Sequence, residues 1–248
     1  MSEKSKVIGV IPARYASSRF PGKPLVDICG KPMIYWVYKR ALLAEGIDEL
    51  IVATDDDRIR ETCEKYDMNC MMTSDQHRTG ADRVAEVAKR TDGNIYLNIQ
   101  GDEPLIDPDE ISNIIKLKID NPNEVYIGLR SSIEDPKAID DPNTVKAVTD
   151  LEGHAMYFSR SPIPYTKDLS CVYRCMGLYA YDRDMLIEFQ SWGQSALEIN
   201  EKGIEMLRAM EHGVKVKLFD TTWHSIGVDL PEHIAMVEEL MKEENPNL

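Results

Sequence analysis

Short apolar runs alternate with amphipathic segments along the first half of the chain. Residues 7–11 form an apolar run short enough for a buried strand. Pro12 is expected to end this strand, because proline has no N–H to donate to a sheet. Further strands are predicted at 50–53, 69–72 and 94–99, and helices at 33–43, 58–66, 82–90 and 109–119. This alternation of strand and helix favours a parallel sheet.

The pattern changes after residue 122. Strands are predicted with little helix between them at 124–133, 144–149, 154–158 and 172–181, as in an antiparallel sheet. The chain then reads as a helix at 183–189, one longer helix within 198–211, a strand at 215–219 and a last helix at 231–243. We therefore predict a single α/β domain over residues 1–248, with a largely parallel central sheet and an antiparallel insertion at about 124–185.

Composition and charge narrow the class of protein. The formal charge of −14 over 248 residues argues against a nucleic-acid partner. No apolar run approaches the roughly 18 residues that span a membrane, so no membrane insertion is expected. The first residues carry lysines with no apolar segment behind them, unlike a secretory signal. The five cysteines include no C-x-x-C pair, which favours reduced thiols and a cytoplasmic protein.

The loop after the first strand carries three cations, Arg14, Arg19 and Lys23. Fixed cations on a turn suit a polyanion such as a triphosphate, although a basic surface turn would have the same composition. The loop is not a Walker motif, because Pro24 stands where Ser or Thr would follow the lysine. No G-x-G-x-x-G pattern supports a dinucleotide site there.

The same region resembles a known family. The stretch IPARYASSRFPGKPL at 11–25, followed by GKPMI at 30–34, resembles the N-terminal signature of the 3-deoxy-manno-octulosonate (Kdo) cytidylyltransferases. The resemblance extends over about 7–237. It implies a Rossmann-like nucleotide-diphospho-sugar transferase fold that uses CTP, Mg²⁺ and a sugar acid for lipopolysaccharide biosynthesis. It also implies a homodimer that forms through the insertion.

Two aspartates are candidate metal ligands. Asp102 follows a predicted strand, at the edge of an α/β sheet where ligands gather, although an Asp beside glycine is also common in turns. Asp229 could be a helix N-cap, because Glu232 lies three residues further on. The resemblance implies instead that both aspartates bind Mg²⁺ and that Gln100 contacts the nucleotide. Arg14, Lys23, Asp102 and Asp229 are thus the predicted catalytic residues.

A further loop at 73–86 resembles the part of the family that surrounds the base and ribose. The resemblance implies nucleotide contacts for Arg78 and Thr79. His77 could suggest acid–base chemistry, but a solvated loop histidine is the preferred interpretation. Arg83 is interpreted as a helix-surface residue.

The segments at 157–165 and 174–181 resemble the acceptor side of the family. There the resemblance implies that Arg160 binds the carboxylate of the sugar acid, which suits a bidentate guanidinium. It also implies that Tyr179 contacts the sugar. Without the resemblance, Arg160 would pass as a surface residue beside a proline-rich turn, and Tyr179 as an ordinary strand residue.

The chain departs from the family pattern at two acceptor positions. The family usually has histidine in place of Cys175, and glutamine in place of Met206 after Glu205. Cysteine is a weak donor and methionine a weak acceptor, so the hydroxylated tail of Kdo would lose partners. Either water replaces them, or the sugar has an altered tail. An 8-amino Kdo analogue would suit an acidic helix carrying Glu198, Glu201 and Glu205.

The combined hypothesis is a cytidylyltransferase that joins CTP to Kdo or its 8-amino analogue and releases pyrophosphate. A first alternative is a CMP transferase for another sugar acid of the sialic-acid type. A second is a non-catalytic nucleotide-binding protein, which would be expected to have lost Lys23, Asp102 or Asp229. All three residues are present.

Overall fold

The structure is a computed structural model that describes residues 5–16, 20–165, 168–224 and 226–244. Its strands are β1 (Val7–Ala13), β2 (Asp27–Ile28), β3 (Lys31–Pro32), β4 (Glu49–Thr54), β5 (Cys70–Met72), β6 (Ile95–Ile99), β7 (Tyr126–Ser132), β8 (Lys146–Thr149), β9 (Ala155–Ser159), β10 (Tyr173–Asp182) and β11 (Lys217–Asp220). Its helices are α1 (Met33–Ala41), α2 (Asp57–Lys65), α3 (Gly80–Arg90), α4 (Pro108–Asp120), α5 (Arg183–Ser191), α6 (Ala196–Asn200), α7 (Met206–Glu211) and α8 (His233–Glu244). Within these ranges, no helix has both the length and the apolar character needed to cross a bilayer.

One mixed sheet forms the centre of the molecule, with the strand order β11-β7-β10-β6-β1-β4-β5. Strand β1 lies parallel to β4 and β6, and β4 lies parallel to β5. Strand β10 runs antiparallel to its neighbours β6 and β7, and β8 and β9 extend the sheet from β10. The predicted α/β class, with a largely parallel sheet and an antiparallel portion, is therefore confirmed.

The apolar run in β1 is continuous because helices cover both faces of the sheet. Ile8 and Val10 belong to the core on the face covered by α3, α5 and α7. Val7 and Ile11 belong to the core on the opposite face, covered by α1, α2 and α4. All four side chains are at most 1% exposed. The two-residue period of the strand therefore fixes β1 between two helical layers.

Strand β1 continues through Pro12 to Ala13, so the prediction that Pro12 ends it is wrong. Pairing with β6 stops at Val10, whereas pairing with β4 continues to Ala13. The last residues of β1 therefore have one paired neighbour, a position at which a sheet tolerates a missing N–H. As a result, Ala13 and the cationic loop begin directly at the carboxyl edge of the sheet.

The single long helix predicted within 198–211 is also wrong, because α6 and α7 are separate helices. Lys202 and Gly203 both have positive φ values, 53° and 85°, in the left-handed region that ends a helix. Both residues line a cavity at the carboxyl edge of the sheet. The other predicted strands and helices are present, with ends shifted by one or two residues.

Candidate functional site

A cavity of about 570 Å³ opens at the carboxyl ends of β1 and β6. The end of β1 with the residue after it, Ala13–Arg14, and the residues after β6, Gln100–Asp102, line it. Only glycine fits at the position of Gly101, because the Cβ of any other residue would lie 2.7 Å from the Pro12 carbonyl oxygen. The close approach of these two strand ends therefore depends on the Gly-Asp pair after β6. Ligands of open α/β sheets bind at such an edge.

Lys23, Asp102 and Asp229 converge at one end of the cavity. The Lys23 ammonium lies 2.6 Å from Asp102 Oδ2 and 3.7 Å from Asp229 Oδ1. The left-handed turn at Gly22 (φ 74°) begins the short 3₁₀ helix that carries Lys23. The backbone N–H of Val228 donates to the Asp102 carbonyl oxygen over 2.8 Å, which ties the two aspartate segments together. The structure thus brings together three predicted residues that are far apart in sequence.

Asp229 is not the N-cap of the last helix. Helix α8 begins at His233, and the backbone N–H of Asp229 donates to His233 Nδ1 over 3.1 Å. The side chains of Asp102 and Asp229 are 34% and 39% exposed, so both remain accessible from the cavity. Two accessible carboxylates that already share one ammonium fit a divalent cation such as Mg²⁺, which takes oxygen ligands and few protein carboxylates.

Positive charge is concentrated around this cavity, although the whole chain is acidic. Among the described residues, seven cationic side chains and four acidic side chains line it. The cations are Arg14, Lys23, Arg78, Arg83, Arg160, Arg174 and Lys202. The acids are Asp102, Glu103, Glu205 and Asp229. A local cationic surface of this kind attracts an anionic substrate in spite of the formal charge of −14.

The predicted nucleotide contacts Arg14, Arg78, Thr79 and Gln100 all line the cavity. Arg19 lies outside the described residues. Thr79 is also the N-cap of α3: its hydroxyl oxygen accepts from the Asp82 N–H over 3.2 Å in a capping box. Arg78 Nη1 donates to Gln194 Oε1 over 2.9 Å, which joins the loop before α3 to the loop before α6.

Two interpretations of the 73–86 loop are wrong. His77 is not solvated: its Nε2 lies 2.6 Å from Glu86 Oε2, and its side chain is 11% exposed. Arg83 is not on the surface, because it is 3% exposed and its Nη1 donates to Thr73 Oγ1 over 2.5 Å. Arg83 Nη2 also lies 3.3 Å from Asp55 Oδ2. The first turns of α3 face the ends of β4 and β5, so this side of the helix is buried.

Arg160 follows β9 and also lines the cavity. Its backbone N–H donates to Glu201 Oε2 over 2.8 Å, and its Nη1 donates to the Pro142 carbonyl over 2.8 Å. The ammonium of the buried Lys146 donates to the Arg160 carbonyl. Arg160 is therefore held by its backbone and side chain together.

The predicted substrate-binding residues Glu205, Met206, Cys175 and Tyr179 also line the cavity. Cys175 Sγ lies 3.4 Å from the Tyr179 hydroxyl, and burial raises the pKa of the thiol to about 12. Glu205 Oε2 accepts from the Ala81 N–H over 3.0 Å. Burial raises the pKa of Glu205 to about 7, so this carboxyl changes charge near neutral pH.

Only one of the three glutamates of the acidic helix predicted around 198–205 faces the cavity. Glu198 is fully buried, and Arg208 Nη2 donates to its Oε1 over 2.7 Å. Glu201 accepts from Ser159 Oγ over 2.7 Å and from the Arg160 N–H. Of the three, only Glu205 lines the cavity. The break at Lys202–Gly203 separates Glu205 from the other two.

Sequence reasoning missed the buried polar groups beneath the cavity. Asn98 Nδ2 donates to Glu205 Oε1 over 3.2 Å. Arg208 is 2% exposed and bonds to both Asp82 and Glu198. The capping pattern of Thr79 and Asp82 was visible in the sequence, but its link to an arginine 126 residues away was not.

Comparison with known proteins places these features in a family. Residues 8–217 match the cytidylyltransferase family. The 3-deoxy-manno-octulosonate cytidylyltransferase of Geobacter sulfurreducens is 45% identical, covering 95% of this chain and 99% of the relative. The enzyme of the same name from Solibacter usitatus is 44% identical, covering 96% of this chain and 95% of the relative.

Solved structures agree with the sequence comparison. CMP:2-keto-3-deoxy-manno-octonic acid synthetase complexed with CTP is 40% identical and superposes with a TM-score of 0.90, covering 97% of this chain and 100% of that chain. The 4-diphosphocytidyl-2C-methyl-D-erythritol synthase of Anaerococcus prevotii shares the fold with a TM-score of 0.67 at 17% identity. These matches confirm the resemblance that the sequence motifs indicated. The chain therefore belongs to the 3-deoxy-manno-octulosonate cytidylyltransferases, a family of nucleotidyltransferase enzymes.

Proposed function

We propose that this enzyme joins CTP to a 3-deoxy-octulosonate sugar acid, giving the CMP-sugar for lipopolysaccharide biosynthesis and pyrophosphate. The observation that carries the proposal is the convergence of Lys23, Asp102 and Asp229 in the same cavity as Arg160 and Glu205. The first group suits a triphosphate with a divalent cation, and the second suits a sugar acid. One cavity can thus hold both substrates side by side.

The chain's own residues position the substrates and neutralise charge. The sugar's C2 hydroxyl attacks the α-phosphorus and pyrophosphate leaves, with no covalent protein intermediate. Lys23 and Arg14 offset the negative charge of the triphosphate, and Arg160 holds the sugar carboxylate through its guanidinium fork. Asp102 and Asp229 would hold Mg²⁺, which when bound offsets phosphate charge and polarises the reacting oxygens.

Pyrophosphate release with different nucleotides tests this function. With Kdo and Mg²⁺ present, we expect release with CTP to exceed release with ATP or GTP by at least about tenfold, a difference of about 1.4 kcal/mol. The triphosphate cations alone do not distinguish bases, so we assign base selectivity to the 73–86 loop, whose Arg78 and Thr79 line the cavity. Equal rates with the three nucleotides would contradict the choice of CTP. No release with any sugar acid would favour the non-catalytic alternative.

The acceptor is proposed to be Kdo with an altered tail, such as the 8-amino analogue. Cys175 and Met206 replace stronger hydrogen-bonding groups at the cavity wall, and the Glu205 carboxyl lies beside them. An ammonium on the sugar brings its own donors and would stabilise the ionised form of Glu205. A sugar acid of the sialic-acid type would contact the same cavity wall. The sugar acids compared in the assay must therefore include one of this type.

We expect a higher kcat/KM for 8-amino Kdo than for Kdo in the wild type. Because the pKa of Glu205 is raised to about 7, protonation below that pH should weaken the preference. The Cys175→His, Met206→Gln double variant should shift the preference towards Kdo. Equal kcat/KM values for the two sugars in the wild type at pH 8 would contradict the altered tail, and preference for Kdo would reverse it.

A homodimer that pairs through residues 124–185 is also proposed. Leu151, Met156 and Tyr165 in this region are large apolar side chains with exposed surfaces. A dimer interface would bury such side chains, which are otherwise in contact with water. Light scattering at micromolar concentration should give twice the chain mass of 28.2 kDa. A mass of one chain would contradict the proposal.

A further inference from the structure

The turn between β8 and β9 carries three metal-ligating side chains outside the cavity. Asp150, Glu152 and His154 each place one ligand atom within 4.8 Å of the others. None of the three is among the described residues that line the cavity. His154 is 8% exposed, whereas the two acids are exposed. The turn thus presents two accessible carboxylates in front of one buried imidazole.

The hydrogen bonds of His154 determine which ring nitrogen faces the acids. Nε2 lies 3.0 Å and 3.2 Å from the two carboxylate oxygens of Glu124. A carboxylate only accepts, so Nε2 carries the proton that is donated to Glu124. Among the described residues, buried Nδ1 has no hydrogen-bond partner. It lies 3.5 Å from Asp150 Oδ2 and 3.6 Å from Glu152 Oε2.

This arrangement is unfavourable without a positive charge. In the neutral imidazole, the lone pair of Nδ1 would face two anionic oxygens. A second proton on the ring or a bound cation removes the repulsion. The pairing of a carboxylate with the distal nitrogen, as between Glu124 and Nε2, is the usual support of a metal-bound histidine.

The backbone of the turn holds Asp150 in place. Asp150 Oδ1 accepts from the N–H groups of Glu152 and His154, each over 2.9 Å. These backbone hydrogen bonds hold the pKa of Asp150 below its usual value. The other oxygen, Oδ2, is the one that faces Nδ1. The carboxylate is therefore ionised and oriented before any ligand arrives.

We propose that this turn binds one divalent transition-metal cation, for which Zn²⁺ is the best fit. His154 Nδ1, Asp150 Oδ2 and Glu152 Oε2 are the protein ligands, and water completes a tetrahedral shell. Ligand atoms around a tetrahedral ion with bonds of about 2.1 Å are about 3.4 Å apart, close to the 3.5 Å and 3.6 Å that separate Nδ1 from the two carboxylate oxygens. Imidazole favours zinc over magnesium, which separates this site from the Asp102–Asp229 pair.

Two lysines next to the turn compete with a cation. The Lys217 ammonium donates to the carbonyl oxygen of Glu152, and the charge of Lys215 acts on Asp150. The three carboxylates of Glu124, Asp150 and Glu152 outnumber these two ammonium groups. A cation at this position would join the segment before β7 to the β8–β9 turn through His154.

Zinc binding to the full-length protein, stripped of metal with EDTA, tests the proposal. Equilibrium dialysis should show that the wild type binds one more equivalent of Zn²⁺ than Glu152→Gln. Glu124→Gln should keep the equivalent but weaken its affinity about 10–100-fold, as loss of an outer partner does. Asp120→Asn, at the exposed end of α4 and outside both sites, is the matched control and should retain the equivalent. Any zinc that thiols or the Asp102–Asp229 pair hold is bound equally by the wild type and by Glu152→Gln. It therefore does not contribute to the difference in stoichiometry between the two proteins.

Equal stoichiometry in the wild type and Glu152→Gln would overturn the proposal, as would failure of the wild type to take up Zn²⁺. Glu152 has a side chain that is 76% exposed, so its substitution should not disturb folding. His154→Gln should also lose the equivalent, but it removes a buried side chain and is the less secure variant.

Discussion

Asp102→Asn should lower kcat for CMP-sugar formation by about two to three orders of magnitude, the usual effect of removing one preorganised charge from a transition state. Asp102 Oδ2 lies 2.6 Å from the Lys23 ammonium, and Asp229 Oδ1 lies 3.7 Å from the same ammonium. The amide keeps the size of the side chain and removes its charge. The substitution should therefore loosen the position of Lys23 and weaken the proposed Mg²⁺ site.

Pyrophosphate release measured over a range of Mg²⁺ concentrations separates these effects. If Asp102 contributes to Mg²⁺ binding, the variant should need more Mg²⁺ for half-maximal rate. Asp120→Asn, at the exposed end of α4, is the matched control and should retain the wild-type rate. Turnover of Asp102→Asn at the wild-type rate in limiting Mg²⁺ would show that this carboxylate is not part of the catalytic site.

Arg208→Met should lower the free energy of unfolding by about 3–5 kcal/mol, because it leaves buried carboxylates without a counter-charge. Arg208 Nη1 donates to Asp82 Oδ1 over 2.6 Å, and Arg208 Nε donates to Glu198 Oε2 over 2.8 Å. Its guanidinium carbon also lies 4.1 Å from the Phe189 ring centroid. Methionine preserves the apolar part of the side chain, so the loss comes mainly from the charge.

Urea unfolding at pH 7 measures this effect. Arg90→Met removes an exposed arginine that pairs with Glu86 on α3, and it should cost less than about 1 kcal/mol. Adding Asp82→Asn and Glu198→Gln to Arg208→Met should recover part of the stability, because no buried charge then remains unpaired. An Arg208→Met variant as stable as Arg90→Met would contradict the role of this ion-pair network.

The same network gives a dependence on pH. Burial raises the pKa of Asp82, but the Arg208 guanidinium outweighs burial and holds it below the usual value. A folded-state pKa below the unfolded value stabilises the protein above the unfolded pKa, and that stability is lost as pH falls through the folded value. In Arg208→Met this loss should no longer occur between those two values.

The sequence predicted the fold well where the signal is local. The continuous apolar run at 7–11 predicted a buried strand, and the structure confirms it, with Ile8 and Val10 on one helix-covered face and Val7 and Ile11 on the other. The prediction failed where the end of a helix or strand depends on two neighbouring residues or on pairing with a strand that is distant in sequence. The Lys202–Gly203 break divides an otherwise continuous helical pattern, and the early end of β6 pairing lets β1 include Pro12.

The site shows the same division. Family motifs drew attention to Asp102 and Asp229, and the structure places both beside Lys23. Nothing in the sequence pointed to Asn98 or Arg208, because a buried polar residue is recognised only when its distant partner is known. Likewise, Glu198 and Glu201 read as exposed acids until the structure shows them bonded to Arg208 and Arg160.

The central claim is that the enzyme transfers the cytidine monophosphate group of CTP to the sugar acid. Phosphorus NMR of the wild type with CTP, Kdo and Mg²⁺ tests it directly. We expect the CTP resonances to be replaced by one phosphodiester resonance and by pyrophosphate in equal amounts, and 8-amino Kdo should give the same pattern at a higher rate. Conversion of CTP to CDP and phosphate, or persistence of CTP with both sugars, would contradict the claim.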